Sequence, residues 1–194
     1  RYAQDNTHCY DLGCSLGAVS LSMRQRLGTI GCEIIAVDNS PEMIAQGQLL
    51  LEAESKQGEA VPIKMVCSDI DKVEIYNASV VVLNFTLQFI AVEERLALVE
   101  RIYNGLMPGG VLILSEKLAF DEQTQSDFMI DAHHDFKRDN GYSNLEISQK
   151  RTALEKVMVP ETLICHKQRL SDAGFGFNSV WFQCFNFTSI IAIK

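Results

Sequence analysis

The chain has 194 residues, enough for one domain with a sizeable buried core. Hydrophobic residues make up 47% and charged residues 22%, which excludes bulk disorder. The formal charge of −8 argues against a direct grip on nucleic acid, because displacing counterions from phosphates needs a positive surface.

No apolar run is long enough to span a bilayer, and no signal-peptide pattern opens the chain. A cytoplasmic protein is expected, with its natural N-terminus upstream, since the first residue is Arg1 rather than Met. Cys9, Cys14, Cys32, Cys67, Cys165 and Cys184 form no C-x-x-C pair and lie among apolar runs. They read as buried free thiols rather than disulfides or zinc ligands.

Short apolar runs alternate with longer amphipathic segments, which predicts βαβ units and a parallel sheet, an α/β fold. The first strand is expected over Thr7–Leu12, meeting Gly13, with a helix from Leu16 to Leu27. Glu33–Val37 is the second strand and ends at Asp38. Ser40 can cap the next helix, Pro41 suits its first turn, and the helix is expected to reach Gln57. Val61–Cys67 is the third strand, followed by Ser68-Asp69. Ser79–Leu83 is the fourth, ending at Asn84. A helix over Val92–Leu106 is expected to stop at Pro108-Gly109-Gly110, before a fifth strand, Val111–Ser115. Asp121–Val157 is polar and mostly helical, broken near Asn140-Gly141, and reads as an inserted cap. A helix over Pro160–Ala173 and strands Ser179–Phe185 and Ser189–Ile193 close the chain. The short turn between those strands makes them an antiparallel hairpin at a sheet edge. Residues 1–194 are therefore expected to form one domain with a helical insert over about 121–157.

Asp11-Leu12-Gly13-Cys14-Ser15-Leu16-Gly17 follows a strand and opens a helix. Glycine lets a backbone turn tightly and approach a ligand. Ser15 stands where the dinucleotide pattern has its second glycine, and the third is absent, so a cofactor without phosphates suits the loop better. A structural turn is the alternative. Asp38, with Asn39 after it, ends the second strand, where an acidic residue can accept from ribose hydroxyls. Asp69-Ile70 follows the third strand, where it can read an adenine edge, and Asn84 ends the fourth. Each has a plain alternative as a cap or turn residue. Ligands of doubly wound sheets bind at the carboxyl ends of the strands, so all four would meet in one cleft.

These residues carry a resemblance. Tyr10–Ala18, Asp38–Pro41, Val82–Phe89, Leu114–Lys117, His133–Arg138, Asn140–Ser143, Ser148–Arg151 and Trp181–Phe187 resemble the carboxy-S-adenosylmethionine synthase family. The resemblance covers nearly the whole chain from Tyr10 onward. It implies a Rossmann-like, class I methyltransferase fold: a mostly parallel seven-stranded sheet with a C-terminal antiparallel hairpin. It implies S-adenosyl-L-methionine as cofactor, no metal, and prephenate as second substrate. Prephenate would lose a carboxylate and a hydroxyl, giving phenylpyruvate, and the released carbon dioxide would be captured by the deprotonated methyl carbon of the sulfonium. The product would supply a carboxymethyl group to wobble uridine in tRNA through a separate tRNA carboxymethyltransferase.

By the same resemblance Gly13, Cys14 and Ser15 form the cofactor loop, and Asp38 and Asn39 hold the ribose and flank the adenine. Asp69 and Ile70 hold the adenine, and Asn84 sits by the amino-acid end. Arg151 binds the new carboxylate, for which a planar guanidinium suits a two-bond grip. Read without the resemblance, Arg151 is a solvated arginine beside Lys150. Family members also carry an N-terminal stretch with a cofactor-touching tyrosine that this sequence lacks.

His133-His134 reads as a packed or capping pair rather than a metal site, because adjacent helix residues do not share a face. Trp181, Phe182, Phe185 and Phe187 read as strand core and interface, and with the helical insert suggest a homodimer. Lys137-Arg138 and Lys150-Arg151 can attract an anionic substrate or be ordinary solvated charges. Two other readings stay open: a conventional methyltransferase acting on a small molecule or tRNA, and a non-catalytic cofactor-binding scaffold for a tRNA-modifying partner.

Overall fold

The apolar runs become strands in the computed structural model, which describes residues 1–28, 31–54, 61–146, 148–149 and 157–194. β1 (His8–Leu12) pairs in parallel with β2 (Glu33–Asp38) on one side and β4 (Ala78–Asn84) on the other. β2 pairs in parallel with β3 (Ile63–Cys67), and β4 with β5 (Leu106–Lys117). β7 (Phe187–Ile193) runs antiparallel between β5 and β6 (Phe177–Cys184). The order is β3-β2-β1-β4-β5-β7-β6, the seven-stranded mixed sheet and terminal hairpin expected from the sequence.

Successive strand residues face opposite sides of a sheet. On one side Tyr10, Leu12, Val81, Leu83, Leu112 and Leu114 pack with α3 (Arg95–Gly105) and α5 (Leu163–Asp172). On the other, Cys9, Ile34, Val80, Val82 and Val111 pack with Val19 and Met23 of α1 (Ala18–Arg24). α2 (Pro41–Ala53) starts where predicted: Ser40 Oγ accepts from the Met43 N–H at 3.2 Å, and Pro41 fills the first position. The chain order reverses across the β1–β4 pair, and such a switch point opens a crevice at the strand ends.

Several boundaries differ from the sequence reading. α1 is shorter than Leu16–Leu27, and α2 ends at Ala53, with 55–60 outside the described residues. The stretch expected to be helical from Val92 opens with a 3-10 turn, Val92–Glu94, before α3. Pro108-Gly109-Gly110 does not separate α3 from β5. Leu106 already pairs with Ala78, and a register irregularity absorbs the three residues. The C-terminal Lys194 supplies partners there: Gly109 N–H donates to Lys194 O, and Lys194 N–H to Gly110 O, both at 3.0 Å. In the insert α4 (Gln123–Asp139) ends at Asn140 as expected, while 147 and 150–156 lie outside the described residues. α5 begins only at Leu163, because Thr162 Oγ1 caps it by accepting from Cys165 N–H at 3.3 Å.

The cysteines are all free thiols, but only Cys9, Cys14 and Cys32 are buried. Cys67 and Cys184 are exposed at strand ends and Cys165 in the first turn of α5, which corrects the expectation of six buried thiols. Among the described residues no helix is long and apolar enough to cross a membrane.

Candidate cofactor site

The C-terminal ends of β1 to β4 open into one cavity of about 900 Å³. Gly13, Ser15, Asp38, Asn39, Asp69, Ile70 and Asn84 all line it, so the structure brings together seven of the nine residues singled out in the sequence. The side chain of Cys14 does not reach it. That thiol packs beside Ala36 and Ile44, where burial pushes it up to about 12. Only the Cys14 backbone belongs to the loop, its N–H donating to Val37 O at 2.9 Å. Arg151 lies outside the described residues.

The glycine loop is tight for a visible reason. Gly13 has φ +80°, and a Cβ there would stand 2.4 Å from Thr86 Oγ1. The loop after β1 thus closes directly on the turn after β4. Beneath it, buried Asp11 accepts from Ser20 N–H at 3.0 Å and Ser20 Oγ at 2.6 Å, both through Oδ2. Its Oδ1 has no partner, and burial raises its carboxyl above the usual range.

Asp38 joins the loop to α2. Its Oδ2 accepts from Ser15 N–H at 2.8 Å and its Oδ1 from Ser40 N–H at 3.0 Å. Each carboxylate oxygen retains a second lone pair for a ligand hydroxyl. Asp69 accepts from Asn39 Nδ2 at 3.2 Å and from Lys72 Nζ at 2.6 Å. The Lys72 ammonium, with Asn39 assisting, holds the Asp69 carboxyl below its ordinary value. Ile70 opens a 3-10 turn whose carbonyl accepts from Arg101 of α3 at 2.9 Å.

The wall after β4 is held from behind. Asn84 is followed by Phe85 at φ +59°, Thr86 and a 3-10 turn, Leu87–Phe89. Glu116 of β5, fully buried, accepts from the N–H groups of Leu87 at 2.9 Å and Gln88 at 3.0 Å. Burial pushes its carboxyl up to about 7. Arg95, also fully buried, donates to Ile90 O at 2.9 Å, Val159 O at 3.0 Å and Gln88 O at 3.3 Å. It forms an ion pair with Glu161, which also takes Arg169 at 2.6 Å.

Thr86, Arg101, Glu116 and Arg95 were not singled out in the sequence. Glu116 offered one signal, a carboxylate two residues after the apolar Val111–Leu114 run, and Arg95 none. His133 has the packed role expected of it, edge-on to Phe187 at 4.8 Å. Trp181 and Phe182 are 60% and 61% exposed, which corrects their assignment to the core. They stand on β6, the edge strand, at an irregularity in its pairing with β7. Arg138 is tied to Asp135 one turn earlier. Among the described residues no group of three or more His, Cys, Asp or Glu side chains could hold a metal.

The cavity fits S-adenosylmethionine. Its volume is in the range of small-molecule sites. Asp38, Asp69, Asp71, Glu93 and Glu94 line it against Arg101 alone among the described cations, which suits a ligand bearing a sulfonium and an ammonium.

Residues 10–110 match the family model described as a methyltransferase domain. Human N-acetylserotonin methyltransferase in complex with SAM superposes with a TM-score of 0.62 at 21% identity, over 96% of this chain and 47% of that one. A possible exported protein from Bordetella parapertussis superposes at 0.70 with 15% identity, over 100% and 63%. Fold and family model together define a class I, SAM-binding methyltransferase fold.

The nearer likeness is narrower. The carboxy-S-adenosyl-L-methionine synthase of Geobacter metallireducens is 64% identical over all 194 residues, which make up 79% of its length. That of Aliivibrio fischeri is 55% identical over the same span. The chain belongs to the carboxy-S-adenosyl-L-methionine synthase family, and it is a transferase.

Proposed function

We propose that the chain makes carboxy-S-adenosyl-L-methionine from S-adenosyl-L-methionine and prephenate. The observation that carries this reading is the meeting of four polar strand ends in one anionic cavity, in a member of the synthase family.

The balance is simple. Prephenate loses its ring carboxylate as carbon dioxide and its ring hydroxyl as hydroxide, and aromatises to phenylpyruvate. Carbon dioxide bonds to the methyl carbon, and the methyl proton leaves with hydroxide as water. The bound sulfonium supplies an acidified methyl C–H. The protein's part is to orient two small molecules and exclude water. Gly13, Cys14 and Ser15 approach the ligand through their backbone, and Asp38 takes the ribose hydroxyls with Asn39 beside it. Asp69 and Ile70 hold the adenine, Asn84 the amino-acid end, and Arg151 the new carboxylate.

The product then serves a separate carboxymethyltransferase acting on wobble uridine in tRNA. The chain itself contacts no nucleic acid in this reading, consistent with its charge of −8. It works in the cytoplasm as a homodimer. Incubation with both substrates, followed by mass spectrometry, is the test. A product heavier than S-adenosylmethionine by carbon dioxide, formed one-for-one with phenylpyruvate, is expected. S-adenosylhomocysteine in place of that product would overturn the reading.

A further inference from the structure

The cavity wall after β4 is shaped by groups that do not line the cavity. Glu116 is sealed in the core, where a carboxylate is costly unless its oxygens are satisfied. Both its oxygens are spent on one short segment: Oε1 accepts from Leu87 N–H, Oε2 from Gln88 N–H. These open the Leu87–Phe89 turn, where N–H groups lack carbonyl partners within the turn itself. The same segment presents Asn84, Phe85, Phe89 and Ile90 to the cavity and sets Thr86 against Gly13. Gln88 Nε2 donates back to Phe85 O at 3.3 Å, so the pinned turn also holds the residue next to Asn84.

We propose that Glu116 is a positioning residue for S-adenosylmethionine binding, its carboxylate fixing the Leu87–Phe89 turn and through it the Asn84–Ile90 wall. The inference rests on the reading of this cavity as the S-adenosylmethionine site. Only a carboxylate accepts at both oxygens. A carboxamide of the same shape turns one acceptor into an N–H donor that faces a backbone N–H. The turn must then shift, and the cavity wall shifts with it. A purely structural Glu116 would change the unfolding midpoint and leave the affinity of the folded protein alone.

The experiment is titration calorimetry of S-adenosylmethionine into the unsubstituted chain and Glu116→Gln, with thermal unfolding of both. A rise in Kd of about tenfold or more, with cooperative unfolding retained, is expected. A folded variant whose Kd stays within about twofold overturns the positioning role and leaves the binding reading intact. No binding by the unsubstituted chain overturns both. Should Glu116→Gln fail to fold, amide exchange at Leu87 and Gln88 in the unsubstituted chain decides. Exchange about tenfold slower with S-adenosylmethionine present supports the role, and equal rates overturn it.

Discussion

The two walls of the cavity are built on opposite plans. At the ends of β2 and β3 the polar groups reach solvent, and Asp69 and Lys72 pair at 2.6 Å with side chains 46% and 68% exposed. After β4 the polar groups are hidden: Arg95 and Glu116 have no exposure and bond to backbone. Exposed charges in water contribute little to folding and remain available to a ligand. Buried charges touch no ligand, but removing one partner strands the other. One wall therefore offers recognition, and the other supplies shape.

The strongest way to break this contrast is Arg95→Met. It leaves Glu161 short of a partner and takes the guanidinium donors from Ile90 O and Val159 O, while Gln88 O keeps the Val159 N–H. Stability in urea unfolding should fall by about 3–5 kcal/mol. A loss under about 1 kcal/mol would place the brace elsewhere.

The pH dependence of stability sharpens the same point. Burial, with Arg169 adding to it, pushes the His166 imidazole down to about 4 from 6.5. Its stabilising contribution is fully present above pH 6.5 and is lost as pH falls through about 4. The loss should amount to about 3 kcal/mol in wild type and be absent in His166→Gln. Glu116 acts with the opposite sign. Its contribution is present below pH 4.5 and is lost as pH rises through about 7, and Glu116→Gln should flatten that limb.

Where the walls touch, Gly13→Ala forces a side chain onto Thr86 at a φ of +80°. About 2 kcal/mol of stability should go, with most of the affinity for S-adenosylmethionine in calorimetry. Unchanged binding would show that the loop does not approach the ligand. On the exposed wall, Ser40→Ala removes the α2 cap and the exposed hydrogen bond to Glu42, and should cost about 1 kcal/mol in denaturant unfolding. Lys72→Ala should leave the unfolding midpoint unchanged; a clear drop would make the exposed wall structural as well.

The exposed wall was legible because its signals are local. Asp38 ends β2 and Asp69 follows β3 by two residues, and parallel strands place such ends on one edge of the sheet. Ser40 and Pro41 announced α2 by residue type alone. The braced wall was not legible, since Arg95 meets Glu161 across 66 residues of chain and Glu116 meets Leu87 across 29. Pro108-Gly109-Gly110 misled for the same reason. Its backbone is taken into β5 by Lys194, a partner no local pattern can reveal.

The sequence by itself determined the order of strands and helices, the hairpin at the end and the polar residues at the strand ends, because periodicity and turn chemistry act between near neighbours. Tertiary structure alone decided that the Cys14 thiol turns into the core and that Gly13 has room for nothing larger against Thr86. It alone decided that Arg95 and Glu116 set the far wall. Burial and long-range pairing are properties of the packed chain, and a carboxylate or guanidinium acquires its role only when the groups around it exclude water.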